Sequence, residues 1–113
     1  MAPPAAGRPA PPPDPDVREF LDYVRFERGM SVNTVSAYGR DLARFAAFLA
    51  QRGVRPATAS VRDVQEFFAG AGGDGAASSV ARRTASLRAF YAYLVREGLR
   101  ADDPASEIGR AHV

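Results

Sequence analysis

Arg82, Arg83 and Arg88 stand among small and apolar residues in the stretch from Ser79 to Gly98. Between Ser78 and Arg100 there are five arginines and one acid, Glu97. A guanidinium is permanently charged and presents its N–H donors as a planar fork, which matches two phosphate oxygens or the O6/N7 edge of guanine. Val80, Thr84, Leu87, Tyr91 and Leu94 recur at steps of four, three, four and three, one stripe of an α-helix. At about 100° per residue, the side away from that stripe carries Ser79, Arg82, Ser86, Ala89 and Tyr93, with Arg83 and Arg88 on its flanks. Small residues between arginines let a helix backbone come close to a polyanion. An ordinary solvated face mixes acids with bases, so contact with double-stranded DNA is the sharper reading of this segment.

A second segment repeats the pattern. Ser31 is a good N-cap for a helix from Val32 to Gln51, in which Val35, Tyr38, Leu42, Phe45 and Leu49 face inward. Its far side presents Asn33, Ser36, Ala37, Arg40 and Arg44, and Gly53 is placed to end it in a left-handed conformation.

Two further helices complete the frame. One runs from about Asp16 to Arg28 with Val17, Phe20, Leu21 and Val24 on one stripe, Asp14 or Asp16 as cap and Gly29 as stop. Phe26 falls opposite that stripe and is read as a second buried side, with a partner contact as the alternative. The other begins at Ser60, where Ser60 and Asp63 form a capping-box pattern ahead of Val61, Val64, Phe67 and Phe68. It stops before the cluster Ala69-Gly-Ala-Gly-Gly-Asp-Gly75. Lacking a Gly-Lys-Ser/Thr ending and a preceding strand, that cluster reads as a flexible interhelical connection rather than a phosphate loop. No segment alternates with period two, so the expected fold is an all-α bundle of four to five helices.

The chain's 113 residues make at most one small domain. Residues 1–15, rich in Pro and Ala, cannot bury enough surface to offset their ordering entropy and are expected to be a disordered arm. They lack the apolar core of a signal peptide, and no run approaches the roughly 18 apolar residues needed to span a bilayer. Without cysteine there is no disulfide or thiolate metal site, and a cytoplasmic setting is expected. No motif calls for a metal or other cofactor. All fifteen basic residues are Arg, which the abundance of Ala, Gly and Pro attributes to GC-rich coding rather than to phosphate binding.

The segment Glu27-Arg-Gly-Met-Ser-Val-Asn-Thr-Val-Ser-Ala-Tyr-Gly-Arg-Asp-Leu-Ala-Arg-Phe-Ala-Ala-Phe-Leu49 resembles a pattern of the tyrosine recombinases. So does Arg82-Arg-Thr-Ala-Ser-Leu-Arg-Ala-Phe-Tyr-Ala-Tyr-Leu94, followed by Glu97-Gly98 and Asp102-Asp-Pro-Ala105. The likeness covers nearly all of residues 17–106 and is closest to the Xer-type enzymes and related phage integrases. It implies an N-terminal core-binding domain, a SAM-like helical bundle over residues 16–106 that packs on one face of a recombination half-site. By that resemblance the DNA-facing positions are Ser31, Asn33, Thr34, Arg40, Arg44, Arg82, Arg83, Ser86 and Arg88. Gly39, Thr84 and the order Ala85-Ser86 depart from the family pattern; Gly39 costs about 1 kcal/mol of helix propensity relative to Ala.

Recombination in the family is performed by a separate C-terminal domain, and its protomers assemble as a synaptic tetramer. A tyrosine there attacks the scissile phosphate while arginines, a lysine and histidines stabilise charge and move protons. This chain has one His, no Lys and no His-x-x-Arg, and Tyr23, Tyr38, Tyr91 and Tyr93 read as packing residues, so catalysis by the chain alone is not expected. The ending Ile108-Gly-Arg-Ala-His-Val113 translates one frame of a common sequencing adapter. Residues 107–113 are therefore expected to be a foreign tail, His112 to carry no function, and the catalytic domain to be missing through truncation. A helical protein-interaction module is the alternative reading. A helix-turn-helix regulator is disfavoured by the long, glycine-rich gap from Ala69 to Ala77.

Overall fold

The computed structural model describes residues 14–108. The expected arm lies outside them apart from its last two residues, and so does the expected tail beyond Ile108, His112 included. Helix α1 spans Pro15–Asp22 and runs on into a π-helical turn, Tyr23–Glu27. Helices α2 (Val32–Ala50), α3 (Val61–Ala69) and α4 (Ala77–Arg96) follow, with short 3₁₀ turns at Pro56–Thr58 and Ala71–Gly73. No strand occurs among the described residues, so the all-α expectation holds.

Local chemistry sets the ends. Asp14 Oδ1 accepts the N–H groups of Asp16 at 2.9 Å and Val17 at 3.3 Å, ahead of Pro15, whose missing donor costs nothing in a first turn. Ser31 Oγ accepts the Thr34 N–H at 3.1 Å. The capping box of α3 is reciprocal: Ser60 Oγ accepts the Asp63 N–H at 3.1 Å and Asp63 Oδ2 accepts the Ser60 N–H at 2.9 Å. The three glycine stops lie in the left-handed region, Gly29 at φ 66°, Gly53 at 69° and Gly98 at 74°.

Helix α4 is the axis of the bundle. Phe90 meets Phe20 of α1 edge-on at 5.5 Å, and Tyr91 meets Phe45 of α2 at 6.4 Å. Phe45 in turn packs on Phe67 of α3 at 5.1 Å. Beyond α4 the chain folds back: Arg100 donates to the carbonyls of Ala57 at 3.2 Å and Ala59 at 2.8 Å while its guanidinium lies over the Tyr91 ring.

Three expectations are corrected. Helix α4 is buried along Arg83, Ser86, Leu87, Phe90, Tyr91 and Leu94, because α1, α2 and the preceding loop enclose it from several sides. Its outward side is turned by about a quarter turn from the one predicted. Phe26, read as buried, is 71% exposed: the π turn carries an extra residue per turn, sends Val24 inward and leaves Phe26 outside under the Arg25 guanidinium. The glycine cluster is not a loose tether, since its 3₁₀ turn seats Gly72 in the interior, against the Phe67 ring.

Candidate nucleic-acid interface

The outward strip of α4 consists of Ala81, Ala85 and Ala92, all exposed, with Arg82 along one side and the half-buried Arg88 along the other. Small residues between arginines do line a helix face, then, but through these alanines and not through Ser86 and Ala89. Ala81, Ala85 and Arg88 also border a shallow open depression, which Gly73 and Gly75 of the loop before α4 help to line.

Arg83 and Ser86 are interior and unavailable to a duplex. Arg83 is 5% exposed and donates through Nη1 to the Gly72 carbonyl, pinning the glycine turn. Ser86 is fully buried and donates to the Arg83 carbonyl at 2.9 Å. Both polar groups are satisfied by backbone acceptors, which is how they tolerate the core.

On α2, Asn33, Arg40 and Arg44 are exposed as expected, and none of the three has a side-chain hydrogen bond or ion pair among the described residues. Ser31 is exposed and Thr34 half-buried; Ser31 Oγ both caps the helix and donates to Thr34 Oγ1 at 3.0 Å.

Arg82 and Asp41 join the two helices. Arg82 Nε donates to Asp41 Oδ2 at 2.9 Å and Nη2 to Oδ1 at 2.7 Å. The Asp41 side chain is 4% exposed and that of Arg82 41%. The hydrogen bonds and charge of Asp41 raise the ionisation of Arg82 above its already high ordinary value. Arg44 lies one turn beyond Asp41, and Arg40 is its neighbour in sequence, so the bridge ties the Arg-bearing edge of α2 to the outward side of α4. Asp41 escaped the sequence reading because its partner is 41 residues away.

The helices differ in charge. Together α2 and α4 hold six arginines (Arg40, Arg44, Arg82, Arg83, Arg88 and Arg96) against one acid, the neutralised Asp41. The segment from Pro15 to Glu27 holds four acids, Asp16, Glu19, Asp22 and Glu27, against Arg18 and Arg25.

The tyrosines are in packing roles. Tyr91 donates to the Pro56 carbonyl at 2.7 Å, and burial pushes its ionisation well above the ordinary value. Tyr93 stacks on Tyr23 at 5.0 Å, and its ionisation is also raised, chiefly by burial. Among the described residues no cluster of His, Asp or Glu could hold a metal, and no helix is long and apolar enough to cross a membrane.

This arrangement has known counterparts. The profile "Phage integrase, N-terminal SAM-like domain" matches residues 17–98. Tyrosine recombinase XerD of Rhizobium meliloti (strain 1021) is 44% identical over 89 residues, 78% of this chain and 29% of that protein. Tyrosine recombinase XerC of Mycobacterium tuberculosis (strain ATCC 25177 / H37Ra) is 41% identical over 91 residues, 80% of this chain and 30% of that protein. The solved integrase from mycobacterium phage Brujita superposes with a TM-score of 0.73 at 28% identity, covering 84% of this chain and 31% of that one. The chain therefore spans less than a third of these relatives' length. The family profile, the sequence relatives and the structural match agree: the chain belongs to the phage integrase N-terminal SAM-like family, the amino-terminal domain of tyrosine recombinases.

Proposed function

We propose that this chain is the DNA-binding domain of a site-specific recombinase, seating α2 and α4 against one face of a duplex half-site. The observation that carries the reading is the Arg82–Asp41 bridge, which joins α2, bearing the exposed Arg40 and Arg44, to α4, where the exposed Arg82 and the half-buried Arg88 flank an alanine strip. Ser31, Asn33 and Thr34 supply hydroxyl and amide groups at the start of α2, suited to phosphate contacts. The proposed interface omits Arg83 and Ser86, which are inside. Alanines bring the α4 backbone close, arginines neutralise phosphates, and release of condensed counterions drives association.

In the parent enzyme, catalysis belongs to a further domain, and this one contributes by clamping the duplex. Two linked contacts bind more tightly than either alone because the second benefits from a high effective concentration. The isolated chain binds DNA weakly, with Kd on the order of 10⁻⁴ to 10⁻⁶ M at physiological salt. The parent acts in the cytoplasm and assembles with other recombinase protomers.

A protein-interaction module is the second reading, favoured by the exposed Phe26. Fluorescence anisotropy with a labelled 30-base-pair duplex separates the two. DNA binding predicts affinity that falls steeply with salt, is lost when Arg40 and Arg44 become Ala, and is untouched by Phe26→Ser. Salt-insensitive binding, or loss with Phe26→Ser alone, refutes the DNA reading.

A further inference from the structure

A guanidinium holds five N–H groups in one plane, enough for two separate bidentate edges. Arg82 gives its side-on edge, Nε and Nη2, to the two oxygens of Asp41 at 2.9 and 2.7 Å. Its end-on edge, Nη1 with the second Nη2 hydrogen, has no partner recorded among the described residues. Asp41 is enclosed, with a side chain 4% exposed, and among the described residues its carboxylate is hydrogen-bonded by Arg82 alone. If Arg82 swung away, a carboxylate would be left buried and unpaired, so the pair stays together when a ligand arrives.

We propose that Asp41 is a positioning residue: it holds Arg82 so that the end-on edge of the guanidinium is presented, already oriented, to two acceptor atoms on duplex DNA. The proposal rests on the DNA-binding reading above. Two acceptor pairs fit that fork, O6 and N7 of one guanine or two oxygens of one phosphate. An unsupported arginine samples many rotamers and loses that freedom on binding. Arg82 has lost it already, in a pairing that leaves one fork spare.

General electrostatics predicts the opposite of this proposal. Removing an acid from a surface that meets a polyanion strengthens binding, so a bystander Asp41 predicts tighter DNA association for Asp41→Asn. Positioning predicts weaker association despite the more favourable charge. The isosteric amide cannot accept both N–H groups, and the fork loses its fixed direction.

The test is anisotropy titration of the full chain and its Asp41→Asn, Arg82→Lys and Arg82→Ala variants against random-sequence duplexes. Circular dichroism confirms that each variant is folded at the assay temperature. Asp41→Asn and Arg82→Lys are each expected to bind about five- to tenfold more weakly. In the Arg82→Ala background, adding Asp41→Asn should cost nothing further. Selection from a randomised duplex pool tells the two acceptors apart. Loss of preference at one guanine position identifies the base, whereas a uniform loss with a salt slope shallower by about 0.9 identifies a phosphate.

Binding by folded Asp41→Asn as tight as or tighter than the unmodified chain overturns the proposal. So does a loss that persists when Arg82 is already Ala. Should Asp41→Asn fail to fold, Arg82→Lys decides, since it keeps the charge and one contact to Asp41 but not the fork; unimpaired binding by that variant also overturns it. Absence of any duplex binding by the unmodified chain removes the DNA reading itself, and this inference with it.

Discussion

Replacing Arg88 by Ala is the most informative single perturbation of the proposed interface, because the effect has a magnitude that can be worked out beforehand. Four arginines can meet phosphates: the exposed Arg40 and Arg44, Arg82 through the fork that Asp41 leaves open, and the half-buried Arg88. At about 0.9 counterions released per contact, log K should fall against log salt with a slope of about −3.6. Raising salt from about 50 to about 200 mM then weakens binding about 150-fold. Without Arg88 the slope becomes about −2.7 and the same change weakens binding about 40-fold. Arg83→Met is the internal control. It removes a charge from the same helix, but one that is buried against the Gly72 carbonyl. The slope should stay the same while stability falls by about 1–3 kcal/mol, the cost of an interior carbonyl losing its donor. Anisotropy titrations at several salt concentrations, paired with thermal melts, give both quantities. An unchanged slope for Arg88→Ala removes the alanine strip from the interface, and a shallower slope for Arg83→Met refutes the division between buried and exposed arginines.

Other expectations concern stability. Phe67 is fully buried against Phe45, Phe48 and Phe68, so Phe67→Ala should cost about 3–5 kcal/mol in urea unfolding. A cost under 1 kcal/mol would contradict that packing. A Cβ on Gly72 would come within 2.5 Å of Phe67 Cδ2 and 2.9 Å of Cζ, so Gly72→Ala should lose about 1–3 kcal/mol. A neutral result in the same melts means the loop can lift off the ring. Ser60→Ala opens the capping box and should cost about 1 kcal/mol, readable as a melting shift of several degrees. Tyr91 ionises above its ordinary value of 10.0 in the folded state, so the folded chain keeps a proton that the unfolded chain releases. Its contribution is complete below the unfolded value and is lost as pH climbs from there toward the folded one. Absorbance at alkaline pH should show the Tyr91 phenolate appearing only with unfolding; its appearance in the still-folded protein would contradict the burial.

The two Arg-bearing helices were not equally legible in the sequence. Helix α2 buries one side, so Leu42, Phe45 and Leu49 announce it by spacing and Arg40 and Arg44 follow on the other side. Helix α4 touches α1, α2 and the loop before it, and its buried arc includes Arg83 and Ser86. Polar residues inside a core look like surface residues until their acceptors are known, and the acceptor of Arg83 lies 11 residues upstream. Caps and glycine stops, being local chemistry, were readable. The π turn leaves no periodic trace, so helical spacing alone puts Phe26 on a buried side. Tertiary pairing, above all that of Asp41 with Arg82, is what residue spacing does not carry.

Ala81, Ala85 and Ala92 have one further consequence. An alanine has no rotamers to freeze, so a surface built from them gains contact area on docking with little loss of side-chain freedom. Disorder remaining to be quenched is concentrated in Arg40, Arg44 and Arg88, because Arg82 is already held by its carboxylate. Much of the docking side is thus rigid before contact, and recognition by this helix should carry a smaller entropic penalty than a lysine-fringed surface of equal charge.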